Sequence, residues 1–260
     1  MDLLQAAIQQ SLGEMRVAGR APVGGVPAMA SEVMSIVEQA RDVLSNYGGG
    51  KRTDRRIVVL ALSVAVLDIG WAICHLLKTE PERTHIVTLT LWRSFLEMWL
   101  RAIFFALEAS DEEVSEFRFA DKVPQRATLD GKKQINISIR IMARLVGPLL
   151  VPDDRGILDV IADEVDEWHG FVHGGASLVD ALDSGTEIKS RVNKHAITLN
   201  LHRISANTIL LVCAGLQHSQ DLYPIDEMKI AVERLADSVK LLQRRWTRPY
   251  SGEPSGLTTP

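Results

Sequence analysis

The sequence predicts an all-α protein, folded as a single multi-helix bundle. Apolar residues recur three and four apart along most of the chain, while the apolar–polar alternation of strands is nearly absent. Three long apolar segments, 54–78, 84–109 and 197–218, each need burial and can together form a core. With 260 residues and 46% hydrophobic content, the chain is large enough to bury a sizeable one.

Residues 1–17 read as an amphipathic helix, ended by the Gly/Pro break GRAPVGGVP. A second helix is expected over 29–46, opening near Ser31 and stopped by Gly48, Gly49 and Gly50. Those glycines precede Lys51 and Arg52 but join two helices, so they read as a linker and not as a phosphate loop. The buried helix 54–78 follows, then the turn TEPER, then the helix 84–109. Asp111, Glu112 and Glu113 open a short helix to about Ala120, their charges favoured by the helix N-terminus. Residues 121–134 are polar and read as loop. A helix is expected over 135–147, ended by Gly147 and Pro148, and an acidic one over 155–173, ended by Gly174 and Gly175. No assignment is made for 176–195.

The last helix, 225–246, carries Ile225, Met228, Val232, Leu235, Val239, Leu242 and Trp246 at alternating spacings of three and four. That is an a/d seam, able to pack within the bundle or across a dimer; a homodimer is the expected assembly. The organisation is thus N-terminal helices and Gly-rich linker over 1–50, the bundle over 51–246, and a Pro/Gly/Ser/Thr-rich tail, expected to be disordered, over 247–260.

Composition narrows the function. A net charge of −4 argues against a general nucleic-acid surface, and DNA is not an expected partner. Cys74 and Cys213 lie in apolar helical runs and suit a reducing compartment as small core residues. The N-terminus lacks a basic start and carries Asp2, unlike a secretory signal, so a cytoplasmic location is expected. The segment 57–77 has the length of a membrane span but contains Asp68 and His75, which favours a buried bundle helix over a membrane-embedded one.

The strongest lead to function is a polar stripe on the helix 84–109. Arg93, Glu97 and Arg101 recur at i, i+4 and i+8, within an arc of roughly 80° and a length of about 12 Å. Almost everything around them is apolar, so the three charges are expected to be buried and paired, or to meet a ligand that needs charge. Two guanidiniums on one face form a clamp for a phosphate or other anion, with Glu97 holding both in place. The competing reading is an ion network that sets helix register. A second constellation is Asp166, His169 and His173, spaced to share one side of a helix. It could hold a metal, supply a general base, or simply end a helix with hydrogen-bonded histidines. The pattern favours no metal and no cofactor. Walker, dinucleotide-binding, nucleophile-elbow and H-E-x-x-H motifs are all missing.

The LSVAVLDIGWAICHLL helix, the R-S-F-L-E-M-W-L-R helix with its acidic turn, and the late F-V-H-G-G together resemble a bacterial all-α family of no established activity, over about residues 55–220. What this implies is that Arg93, Glu97, Arg101 and His173 are the positions to test. More loosely, the chain is similar to the HEPN superfamily of helical bundles, many of them metal-independent ribonucleases of toxin and phage-defence systems. Their site is an Arg-x4-6-His motif built across a dimer. This chain departs from it, its nearest pair being Arg191-x3-His195. The expected function is therefore a helical scaffold, accessory or sensor protein in stress or phage defence, with a charged inner pocket. The alternative is a ribonuclease with His173 as base and Arg93 or Arg101 stabilising phosphate charge. The ligand is expected to be RNA or another phosphate-containing molecule, held by Arg93, Arg101 and His169.

Overall fold

The structure, a computed structural model, describes residues 25–127, 132–150, 163, 172, 173, 178, 179, 182, 194–217 and 223–246. Over these it is an all-α bundle with one small hairpin. The expected helices at 1–17 and 155–173, the residues Asp166 and His169, and the tail at 247–260 lie outside or almost wholly outside the described residues.

Helix α1 spans Gly25–Tyr47, opening before the expected Ser31, and buries Val26, Met29, Val33, Val37, Ala40 and Leu44 on one stripe. It ends because Gly48 N–H closes onto Leu44 O at 2.7 Å. A Cβ at Gly48 would stand 2.2 Å from that oxygen, so only glycine can make this turn. The glycine linker is also tied down: buried Arg56 donates Nε and Nη2 to Gly48 O at 3.0 and 2.6 Å.

Helix α2, Asp54–Thr79, starts at the N-cap Thr53, whose hydroxyl accepts from Arg56 N–H. Helix α3, Pro81–Leu107, doubles back along it. Thr84 Oγ1 donates to Leu76 O across the turn at 3.0 Å. α3 buries Trp92, Phe95, Leu96, Trp99, Leu100 and Phe104. At its C-terminus Arg55 donates to the carbonyls of Phe105 and Ala109, both at 2.6 Å, satisfying groups the helix leaves unbonded. Helix α4, Asp111–Ala120, opens on a capping box: Glu113 N–H reaches Ser110 Oγ at 3.1 Å and Ser110 N–H reaches Glu113 Oε2 at 2.7 Å.

Residues 121–134 are not simply loop. β1, Gln125–Ala127, pairs antiparallel with β2, Gln134–Asn136, in the register Arg126↔Ile135. Residues 134–141 alternate polar with apolar (QINISIRI), a strand signal that the helical reading of 135–147 passed over, whereas β1 has no such pattern. A long-range anchor holds them: Arg126 makes hydrogen-bonded ion pairs to Glu113 and Glu108. Helix α5, Ile139–Leu150, begins later than the expected 135 and runs through Pro148. In the last turn a proline removes a single intrahelical hydrogen bond, and Leu150 beyond it is still buried against the core.

The centre of the bundle is α6, Lys194–Gln217, packed by α1, α2, α3 and α7. Its buried hydroxyls are satisfied along the helix: Thr198, Ser205 and Thr208 each donate 2.7 Å to a carbonyl three or four residues earlier. Trp99 Nε1 crosses from α3 to Asn207 O at 3.0 Å. Cys74 and Cys213 are buried thiols, both pushed up by burial, Cys213 to about 12.

Both α2 and α6 are long and apolar enough to cross a bilayer by length and composition alone. In the bundle 83% of the apolar window of α6 is buried, against 44% for α2. On the open face of α2, Asp68 pairs with Arg41 and His75 stacks on Trp71.

Helix α7, Ile225–Trp246, resolves the seam. Met228, Val232, Leu235, Val239, Leu242 and Trp246 are buried within this chain, while Ile225 is exposed. Trp246 Nε1 and Arg245 Nη1 both reach Glu32 on α1, at 3.2 and 2.6 Å. The stripe packs in cis, against α1 and α6.

Candidate functional site

The polar stripe of α3 sits between apolar ridges because its residues are four apart, and the bundle turns that face toward the α4–hairpin–α5 segment. Glu97 is the hub. Its Oε1 accepts from Arg101 Nη2 at 3.1 Å, and its Oε2 lies 3.9 Å from Arg93 Nε. The pairing is as expected, but the burial is not. The side chains of Arg93, Glu97 and Arg101 are 18%, 25% and 33% exposed. The stripe is half-buried because it borders a cavity and not the packed core.

That cavity has a volume of about 730 Å³. Its α3 wall carries Arg93, Glu97 and Arg101 together with Met98. The facing wall is supplied by Phe117 of α4, by Val123 and Ile137 flanking the hairpin, and by Ile139, Arg140 and Met142 of α5. Leu62 of α2 closes one side, and Asp121 stands at the end of α4 with its backbone in the left-handed region at φ 50°. Three guanidiniums and two carboxylates lie on the described lining, and a third carboxylate, Asp163, pairs with Arg140.

Arg140 went unread in the sequence. It lies near the start of a short helix, flanked by Ile139, Ile141 and Met142, and nothing local says which element that helix will face. The structure brings it to the same cavity as the α3 stripe, with its Nη2 2.8 Å from Asp163 Oδ1. His173 is exposed and is not among the described residues that line the cavity. His169, like Asp166, lies outside the described residues. Among the described residues no group of three His, Cys, Asp or Glu side chains is placed to hold a metal ion.

The facing wall is held rigidly. Arg126 places Nε and Nη2 on the two oxygens of Glu113 at 2.9 and 3.0 Å, and Nη1 on Glu108 at 2.8 Å. Burial alone would raise the Glu113 carboxyl, but hydrogen bonds from Arg126 and Ser110 outweigh it and hold the group below its ordinary value. The same bond to Glu113 drives the Arg126 guanidinium upward against its own burial. Arg55 adds a pair to Asp111 at 2.7 Å, and Arg118 pairs with Asp54, so α4 is clamped to α2.

One buried group elsewhere is unusual. His202 of α6 is 8% exposed, and neither of its ring nitrogens has a hydrogen-bond partner among the described residues. Burial pushes its imidazole down to about 4, so it is neutral in the fold.

Chemically, the described lining offers guanidinium donors, two carboxylates and apolar walls, with no histidine, cysteine or lysine. Such a set suits capture of an anion better than proton transfer or nucleophilic attack. No protein-family model, curated protein or solved structure matches the chain.

Proposed function

We propose that the chain is a ligand-binding helical scaffold, an accessory or sensor protein of the bacterial cytoplasm, whose inner cavity captures a small anion. The observation that supports this most is the convergence of Arg93 and Arg101 from α3 with Arg140 from α5 on one cavity of about 730 Å³. That volume lies in the range of about 300–1,000 Å³ typical of small-molecule sites. The cations come from two elements far apart in sequence. Assignment to stress or phage defence is supported by the looser similarity to the HEPN superfamily alone.

The test is calorimetric titration of the full chain with a panel of small carboxylates and phosphates, alongside Arg101→Ala and Arg140→Ala. Saturable binding weakened in both variants is the expected result. Binding of the same strength in both variants, or no binding by any anion, would overturn the proposal. The ribonuclease reading lacks comparable support, since His173 is not among the described lining. RNA cleavage without divalent metal, lost in His173→Ala, would put it in place of ours.

A further inference from the structure

We infer that the open face of α2 is an interface between two copies of this chain, packed antiparallel across a two-fold axis beside the Arg41–Asp68 ion pair. The face is continuous. Ile57, Ala61, Val64, Asp68, Ala72 and His75 follow one another at spacings of three and four, within an arc of roughly 80° and a length of about 27 Å. None of the six is buried, and Val64 is 46% exposed. The helix touches α1, α3, α4 and α6, yet less than half of its apolar window is covered. A helix of a soluble bundle ordinarily turns polar residues to water on such a stripe. Here the outer stripe is mostly aliphatic, the mark of a surface that meets another.

The charges select what it meets. At mid-stripe Asp68 pairs with Arg41 of α1, both side chains half-exposed, and neither makes another ion pair with a described residue. A two-fold axis beside this pair turns it end for end. Each guanidinium then meets the carboxylate of the other copy, and the charges alternate in sign around the axis. The pair is thus complementary to itself, as an interface between identical chains requires. A bilayer offers the opposite, since Arg41, Asp68 and the neighbouring Glu38 would all have to enter hydrocarbon.

Shape agrees with charge. Ala61 and Ala72 leave room above and below Val64 and Asp68 for a second helix to approach closely. The border is already ordered: Trp71 donates Nε1 to Glu38 at 3.0 Å and stacks on His75 with ring centroids 4.9 Å apart, so little side-chain freedom remains to be lost on docking.

The experiment is sedimentation equilibrium of the full chain over a concentration series, with Arg41→Asp and Asp68→Arg measured separately and mixed. The parent should pass from monomer to dimer as concentration rises. Arg41→Asp leaves each face acidic and Asp68→Arg leaves each face basic. Either alone should self-associate at least about tenfold more weakly than the parent, whereas an equimolar mixture should recover a dimer holding one of each. Val64→Glu should weaken association by about tenfold or more. Leu241→Glu, at a 60% exposed position on α7, should leave it unchanged. All four variants should keep the circular dichroism of the parent. A parent that stays monomeric throughout, a mixture no stronger than its components, or undiminished association in Val64→Glu would overturn the inference. So would flotation of the parent with phosphatidylcholine–phosphatidylglycerol vesicles that Val64→Glu abolishes, because the stripe would then meet lipid. None of the stripe residues lines the cavity, so the anion-binding reading stands or falls separately.

Discussion

Replacing Glu97 with glutamine separates stability from binding, because the two should move in opposite directions. The side chain keeps its size and loses its charge, so packing is preserved and both ion pairs are removed. Fully buried, a carboxylate between two arginines would cost about 3–5 kcal/mol to neutralise. Here the three partners are 25%, 18% and 33% exposed, and the longer pair spans 3.9 Å. Exposed i,i+4 pairs contribute about 0.3–0.5 kcal/mol each. An intermediate loss of about 1 kcal/mol is expected, lowering Tm by about 2–4 °C for a chain of this size. The loss should shrink in high salt, since half-exposed charges are screened. Meanwhile the net charge of the described lining rises by one, so anion affinity should increase. Differential scanning calorimetry at low and high salt, paired with titration of the panel of small carboxylates and phosphates, measures both. A loss beyond about 3 kcal/mol would show a truly buried network that fixes helix register. An unchanged Tm with weaker anion binding would place Glu97 in contact with the ligand and refute the charge argument.

Three further outcomes are expected. Leu235→Glu places a charge where the side chain is 1% exposed in the α7 seam, and should cost about 4 kcal/mol or more, seen as loss of the cooperative unfolding transition; a folded, soluble monomer in place of a parental dimer, by light scattering, would refute cis packing. His202 titrates from about 4 in the fold and 6.5 when unfolded, so below pH 6.5 the unfolded chain takes up a proton that the fold refuses. Stability is therefore full above pH 6.5 and declines toward pH 4 by about 3 kcal/mol, a slope that urea denaturation should find absent in His202→Leu. Arg126→Met leaves Glu108 and Glu113 facing each other without their cation, costing about 2 kcal/mol, and an NMR titration should find the Glu113 carboxyl moved upward; an unmoved carboxyl would mean that Ser110 alone sets it.

The helices were legible in the sequence because their cause is local. A stripe such as Met228, Val232, Leu235 and Val239 demands one buried face whatever lies opposite, and Ser110 with Glu113 caps α4 using atoms three residues apart. The co-facial placement of Arg93, Glu97 and Arg101 is of the same kind, fixed by helical geometry alone. What lies across from such a stripe is not local. Arg140 became part of the cavity only because α5 folds back onto α3, and no pattern near residue 140 records that contact. Only the second strand of the hairpin at 125–136 carries a local signal, the alternation that starts at Gln134, and its partner is fixed by a distant contact, the pairing of Arg126 with Glu108 and Glu113. Whether the α7 seam met a second chain or α1 and α6, and whether Glu97 was buried or bordered a cavity, depended on the same long-range packing. Periodicity determines which side of a helix must be covered, whereas the identity of the cover is a property of the whole chain's free energy, and only the tertiary structure decides it.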